Sequence, residues 1–392
     1  MIKVGITGQA GFVGTHLYNT LGLHPGKFER IPFEDAFFSI PGKLEEFVRQ
    51  CDAIVHLAAM NRHNDPQVIY ETNLQLVKQL IGACEKTGST PHILFSSSTQ
   101  EERENLYGRS KKEGRELLQA WAARNGAHFT GLVIPNVFGP FGHPYYNSVV
   151  ATFCHQLTHN ETPKIEEDGE LKLIYVGELV EIIIEKIIGT RMTQMEQINT
   201  DRISENLSNP CHPCSIPHTA TIKVSSLLQK LQEYKSSYFG KGIIPSLDDP
   251  FDRNLFNTFL CYIDHETFFP FHLTLNTDDR GSFVETVKLH SGGQVSFSTT
   301  VPGITRGNHF HTRKAERFAV IKGKARIELR RIGTDKILSF DLDGSQPSFV
   351  DMPVWYTHNI TNTGDDDLYT IFWINEHFDA TDPDTYFEKV KD

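Results

Sequence analysis

Three groups of residues in this chain have types and spacings that could do chemistry. The first is Tyr107 with Lys111. Four positions apart on a helix, they stand one above the other on the same face. A free phenol titrates near pH ~10, too high for acid–base work at neutrality, and a nearby ammonium stabilises its anion. Lys111 is therefore expected to tune Tyr107 as a proton donor. Ser98, at the end of the apolar strand begun by His92-Ile93-Leu94-Phe95, offers a hydroxyl to the same substrate oxygen. Such a pair also arises by chance in a long chain, so its weight comes from its surroundings.

The second group is Gly8-Gln9-Ala10-Gly11-Phe12-Val13-Gly14, set between a strand (Ile2 to Thr7) and a helical run (Thr15 to Leu21). In that context Gly8 allows a tight turn, Gly11 lets the backbone approach a pyrophosphate, and Gly14 lets helix pack closely on strand. The helix N-terminus then meets the phosphate charge. The third group is His309, His311, Glu316 and His358. Histidines at i and i+2 on a strand share a face. Glu316 is expected to return to that face from the neighbouring part of a hairpin, and His358 adds a third imidazole. Three imidazoles and a carboxylate suit Zn, Fe(II), Mn or Ni, with a position left for water or a substrate oxygen.

Strand and helix alternate through the first part of the chain, which predicts a doubly wound parallel sheet. Strands are expected near Phe28–Phe33, Cys51–Ala59, Phe129–Ile134 and Leu173–Val176. Helices are expected over Tyr70–Cys84, from about Tyr107, and over Leu179–Ile188 and Ser225–Tyr234. Leu57-Ala58-Ala59 closes its strand with small residues, over which a dinucleotide can lie. Glu34 and Asp35 follow the second strand and could take ribose hydroxyls, whereas Arg30 within it would suit a 2′-phosphate; NAD and NADP both stay open. From about His265 helical periodicity stops. Short β-rich runs alternate with Gly, Pro and Asp turns, which predicts an antiparallel barrel or jelly roll. The expected domains are residues 1–262 and 263–392.

A net charge of −11 argues against a general nucleic-acid binder. The six cysteines are scattered. Only Cys211-His212-Pro213-Cys214 forms a cluster; with no second pair to complete a zinc site, it reads as part of a polar loop over Thr190–Thr219. The sequence opens directly in a strand, with no secretory leader, and no apolar run is long enough to span a membrane, so a cytoplasmic protein is expected.

The glycine motif at Gly8, Gly11 and Gly14, with Ser98 and the Tyr107/Lys111 pair, resembles the extended short-chain dehydrogenase/reductase family. The resemblance covers roughly residues 1–250. The segment between Ser98 and Tyr107 is only eight residues long, shorter than in most relatives. The spacing of His309, His311, Glu316 and His358 resembles the two cupin motifs, with Trp355 standing where glycine is usual. Taken together with Pro135-Asn-Val-Phe-Gly-Pro140, Asp278-Asp-Arg-Gly-Ser-Phe283 and Gly303-Ile-Thr-Arg-Gly-Asn-His-Phe-His311, the chain resembles the bifunctional capsule and O-antigen enzymes that make a UDP-L-N-acetyl-6-deoxyhexose.

That resemblance implies an extended short-chain reductase domain followed by an all-β cupin. It implies NADPH as reductant, with NAD not excluded, held by Gly8, Gly11, Phe12, Val13, Gly14, Leu57, Ala58, Ala59, Asn73, Tyr107, Lys111 and Pro135. It implies one divalent metal, zinc by expectation, on His309, His311, Glu316 and His358. The substrate would be a UDP-2-acetamido-2,6-dideoxy-hexos-4-ulose. The cupin would epimerise C3 and the reductase would convert the C4 ketone to an alcohol, on the route to UDP-N-acetyl-L-fucosamine. Tyr356, Lys314 and His272 are candidates for the epimerisation base. A homodimer or larger homo-oligomer is expected, because cupin sheets expose edges that pair. Two alternatives stand beside this reading. One is an NAD-retaining nucleotide-sugar 4-epimerase whose cupin serves dimerisation; the other is a redox-sensing binding module without turnover.

Overall fold

The computed structural model describes residues 1–199 and 214–391. The chain divides into two compact units: Met1–Phe138, Tyr145–Ser148 and Leu171–Thr221 in the first, and Gly139–Pro144, Val149–Glu170 and Ile222–Asp392 in the second.

In the first unit, strand β1 (Ile2–Thr7) leads through the glycine turn into helix α1 (Phe12–Gly22). Strands β2 (Phe28–Ile31), β3 (Ala53–His56), β4 (His92–Ser98) and β5 (Phe129–Ile134) alternate with helices α2 (Lys43–Gln50), α3 (Pro66–Thr87) and α4 (Leu106–Asn125). After β5 come β6 (Asn136–Phe138), β7 (Glu170–Tyr175), α5 (Val176–Asn199) and β8 (Cys214–Ser215). The main sheet runs β2-β1-β3-β4-β5-β8, and its pairs are parallel. This is the doubly wound arrangement that the alternation predicted. β1, β3 and β4 are buried on both faces, which explains their nearly continuous apolar runs.

The helix ends follow local chemistry. α3 starts where Asp65 caps Gln67 N at 2.9 Å with Pro66 in the first turn, and it stops at Gly88, with φ +68°. It therefore begins earlier than the Tyr70 expected from periodicity. β4 runs on to Ser98, so Ser96 to Ser98 belong to the strand itself. Cys211, His212 and Pro213 lie outside the described residues. No helix among the described residues is long and apolar enough to cross a membrane.

The second unit holds two five-stranded antiparallel sheets. One orders strands 271–272, 348–352, 316–322, 368–374 and 294–300; the other orders 337–343, 324–331, 356–362, 305–310 and 386–387. Ala319, Val320, Ile327, Leu329, Phe349, Val350, Ile360 and Leu368 share one buried core. Helices Val149–Thr158, Val224–Tyr234 and Pro250–Leu260 belong to the same unit. Arg317 ties the sheet to the segment that follows helix Val224–Tyr234. It pairs with Asp351 at 2.7 and 2.8 Å and donates to Gly242 O at 2.6 Å, while Tyr238 donates to the same carboxylate. Arg317, Asp351 and Tyr238 are all buried. This compact unit thus reaches back past residue 263, where the sequence texture changes.

Candidate functional sites

The glycine turn is built to receive an anion. Gly8 has φ +71°, and a Cβ there would lie 2.8 Å from Ala58 N; a Cβ on Gly14 would lie 2.3 Å from Gly8 O. Gly11 N donates to Gly8 O at 3.0 Å, and no side chain caps the N-terminus of α1. Open N–H groups and the positive end of the helix dipole therefore face the crevice beside Leu57 and Ala58. Those residues are held by Thr7: Leu57 N donates to Thr7 O at 3.1 Å and Ala58 N to Thr7 Oγ1 at 3.4 Å. Phe12 and Val13 open α1, and Pro135 joins β5 to β6. These residues fit a dinucleotide.

Asn73 acts on this site by positioning. Its Oδ1 accepts from Met60 N at 2.7 Å, and its Nδ2 donates to Met60 O and to Ser110 Oγ, both at 3.1 Å. The loop after β3 is thereby tied to α4. Arg30 takes no position at the strand end. Its guanidinium lies 4.2 Å over the Tyr18 ring and donates to Tyr18 O at 3.2 Å, while Glu34 and Asp35 are exposed.

Tyr107 and Lys111 lie in the first turns of α4, and Ser98 ends β4. Asn105 caps the helix at Gly108 N (2.7 Å), which fixes Tyr107 and Lys111 on one face. A Cβ on Gly108 would lie 1.9 Å from Gln100 O, so only glycine lets the turn after Ser98 approach so closely. Ser98 Oγ accepts from Gln100 N at 3.2 Å and keeps its proton available. Lys111 is buried, its Nζ donating to Ser96 O at 2.9 Å and lying 5.8 Å from the Tyr107 ring centroid. Burial pulls the ammonium down to about 8, partly opposed by Glu101. Burial, with Tyr146 nearby, pushes the Tyr107 phenol up to about 12. The lowering expected from Lys111 is not found; desolvation of the phenol sets the direction.

In the second unit, one ligand atom from each of His309, His311, Glu316 and His358 lies within 4.8 Å of the others. His309 and His358 are direct cross-strand partners, and His311 follows just beyond the strand end. Glu316 does not come from the same hairpin, as the sequence suggested. It opens strand 316–322 of the other sheet, so the cluster joins both sheets. The register explains this: after His311 the chain turns through Thr312–Ala315 and crosses to the facing sheet.

Three imidazole nitrogens surround Glu316 Oε2, His358 Nε2 at 3.1 Å, His311 Nε2 at 3.2 Å and His309 Nε2 at 3.9 Å. None of these contacts has hydrogen-bond geometry for the buried atoms His311 Nε2, His358 Nε2 and Glu316 Oε2, which have no partner. The other ring nitrogens are spoken for: His311 Nδ1 bonds Asp384 O, and His358 Nδ1 bonds Tyr356 O at 3.1 Å. A carbonyl only accepts, so each Nδ1 carries the proton and each Nε2 turns its lone pair inward. Buried, orphaned donors aimed at one point fit a divalent transition metal.

Asp384 escaped the sequence reading, and Trp355, noted there for standing in place of glycine, has a packing role that the sequence did not show. Asp384 accepts from Thr312 N (3.1 Å), Arg313 N (3.0 Å), Lys314 N (3.1 Å) and Thr312 Oγ1 (2.6 Å), so it clamps the loop between His311 and Glu316. No periodicity signals an Asp some 70 residues from the loop it holds. Trp355 lies in the turn before His358 with φ +64°, a conformation that favours glycine. Its ring stacks on Phe310 at 5.7 Å and its backbone N–H donates to His311 O at 2.8 Å. Of the base candidates, Lys314 is buried and donates to Pro383 O at 2.8 Å, and His272 is exposed. Burial pushes the Tyr356 phenol up.

A nucleotide-binding parallel sheet with Ser98, Tyr107 and Lys111, joined to an antiparallel double sheet with a four-residue metal-type cluster, defines the class: a reductase of the extended short-chain type with a cupin-like C-terminal part. Comparison with known proteins agrees. Residues 4–187 match the NAD dependent epimerase/dehydratase family, and residues 276–386 match the polysaccharide biosynthesis C-terminal domain. The chain is 34% identical over 387 residues to the UDP-2-acetamido-2,6-beta-L-arabino-hexul-4-ose reductase of Pseudomonas aeruginosa, covering 98% of each chain. Among solved structures it is similar to the capsular polysaccharide assembling protein CapF from Staphylococcus aureus, at 35% identity and TM-score 0.61, covering 99% of this chain and 100% of that one. A structure of CapF with the inhibitor 3-isopropenyl-tropolone is similar at 32% identity and TM-score 0.57, covering 99% and 100%. The chain belongs to this family of two-part nucleotide-sugar reductases of polysaccharide biosynthesis.

Proposed function

We propose that this protein reduces the C4 ketone of a UDP-2-acetamido-2,6-dideoxy-hexos-4-ulose and that its C-terminal part epimerises the same sugar at C3, on the route to UDP-N-acetyl-L-fucosamine. The observation that carries this reading is the full-length likeness to a named 4-keto reductase in a chain that keeps Ser98, Tyr107 and Lys111 together. The functional division is residues 1–262 for reduction and 263–392 for epimerisation. Gly8, Gly11, Phe12, Val13, Gly14, Leu57, Ala58, Ala59 and Pro135 hold the cofactor, with Asn73 fixing the loop beside it.

A nicotinamide cofactor, when bound, would supply the hydride for C4. Tyr107 donates its phenolic proton to the C4 oxygen, Ser98 hydrogen-bonds that oxygen, and Lys111 keeps positive charge beside it. The reductant is NADPH by family likeness. Arg30, turned onto Tyr18, does not supply a cation for the 2′-phosphate, so binding constants for NADPH and NADH decide this point. His309, His311, Glu316 and His358 would hold one divalent ion, taken as zinc, and such an ion would supply Lewis acidity. The enzyme works in the cytoplasm as a homodimer or larger homo-oligomer. In support, strand 294–300 is a sheet edge that exposes Val295 and Phe297.

The test is the product formed from a UDP-4-keto-6-deoxy-N-acetylhexosamine with NADPH, read by NMR. A C4 alcohol with inverted C3 is expected. Absence of NADPH oxidation with this sugar overturns the reductase assignment.

A further inference from the structure

Beneath Ser98 and Lys111 lies an ion pair that the reaction as described does not use. Glu101 sits in the single helical turn, Thr99–Glu102, that follows β4. Arg115, one turn beyond Lys111 on α4, binds it through Nε to Oε1 at 3.0 Å and Nη2 to Oε2 at 2.8 Å. Ser97, the neighbour of Ser98, donates its hydroxyl to Glu101 Oε1. The pair is sheltered, with side-chain exposures of 11% for Arg115 and 9% for Glu101. β5 makes room for it: a Cβ on Gly131 would lie 2.7 Å from Arg115 Cδ.

We infer that the Glu101–Arg115 ion pair is a positioning device, locking the Ser98 turn onto α4 and providing the negative charge that Lys111 faces. The inference rests on the reductase reading. The short segment between Ser98 and Tyr107 carries one helical turn, and two contacts tether that turn to α4: Gln100 against Gly108, and Glu101 to Arg115. Both fix Ser98 relative to Tyr107. Charge is the second function. Around Lys111 stand Ser96 O and the Phe95 ring from β4, His56 from β3, Tyr107 on its own helix, and Glu101. Burial holds the His56 imidazole down at about 3, so it is neutral, and Tyr107 keeps its proton. Glu101 is then the anion among these groups, and it favours the ammonium form of a lysine that burial pulls down to about 8.

The two members of the pair should therefore move the alkaline limb of the reaction in opposite directions. Glu101→Gln removes the anion, so Lys111 loses its proton at lower pH. Arg115→Gln removes a competing cation and leaves Glu101 to act on Lys111 alone, so the limb moves to higher pH. Shifts of about one pH unit are expected, with kcat lowered about tenfold in both variants because Ser98 is less firmly placed. Two profiles should carry the signature: kcat/KM for NADPH oxidation with the keto sugar, and the NADPH dissociation constant measured by fluorescence without sugar. Opposite displacements support the inference. Shifts of the same sign, or unchanged profiles in folded variants, overturn it, because a merely structural loss has no reason to change sign. If wild-type protein binds NADPH but does not turn over the sugar, the reductase reading falls, and the binding profiles alone decide whether the pair sets the charge at Lys111.

Discussion

Tyr107 holds its proton at every physiological pH, because burial pushes its phenol up to about 12. That suits a donor. The phenol is protonated when the ketone arrives, and charge grows on the C4 oxygen only as hydride reaches carbon. Tyr107→Phe should therefore keep NADPH binding and lose NADPH oxidation by about 10²- to 10⁴-fold; near-normal turnover removes the residue from its role. Buried histidines give a second prediction. Burial holds His56 and His92 down at about 3 and His265 at about 4, whereas an unfolded chain protonates them near pH ~6.5. Between those values the unfolded state binds more protons, so stability falls as pH drops from about 6.5 towards about 4, by up to about 1.4 kcal/mol per pH unit for each histidine. Thermal melts across that window check it, and His92→Gln should flatten the slope; a melting temperature unchanged from pH 7 to pH 4.5 rules the mechanism out. Tyr107, Lys111 and the His-x-His pair were legible in the sequence because their geometry is local. Asp384 and the Glu101–Arg115 pair were not, since nothing in a linear sequence states which distant carboxylate a loop or a guanidinium will find.

The turn before His358 is an element whose local preference and tertiary role conflict. Trp355 adopts φ +64°, which costs an L-residue about 1–3 kcal/mol. It persists because the indole is buried on Phe310 and the backbone N–H is bonded to His311 O. Removing the ring should cost more than the strain returns, about 3–5 kcal/mol for a buried Trp cut to Ala. Trp355→Gly loses the same packing but relieves the backbone. Stability should therefore rank wild type, then Trp355→Gly, then Trp355→Ala, reversing the usual advantage of alanine over glycine. Chemical denaturation of the three proteins measures the order; an alanine variant more stable than the glycine one would locate the strain elsewhere. The departure from glycine was visible in the sequence, but the compensating stack on Phe310 was not. The crossing of Glu316 to the facing sheet was hidden for a related reason. A strand's period tells which residues share a face, not which sheet the strand will join.

At the scale of the whole molecule, the reduction and the proposed epimerisation are ordered by the chemistry of the sugar. The C3 hydrogen is acidic only while C4 is a ketone, because the carbonyl takes up the charge left when the proton departs. Once the reductase has made C4 an alcohol, the C-terminal site has no route to C3. Epimerisation must come first, and it consumes no NADPH. The two halves should then separate by point mutation in the intact chain, which matters because the second compact unit draws on segments before residue 263 and a cut there would strip Tyr238 and Gly242 from Arg317. Tyr107→Phe should still exchange the C3 hydrogen of the keto sugar for deuterium in heavy water, with a new deuteron replacing the proton removed. His358→Ala should not. Its imidazole is 1% exposed and its Nε2 lies 3.1 Å from Glu316 Oε2, so its loss removes one of the four ligand-type atoms of the cluster and should lower metal content sharply. That variant is expected to reduce the sugar slowly, or to give product with the original C3 configuration. Metal analysis alongside the exchange rate completes the test. A Tyr107→Phe protein that is folded and metal-loaded but leaves C3 unexchanged would take the epimerase role away from the C-terminal part and leave its cluster a structural duty.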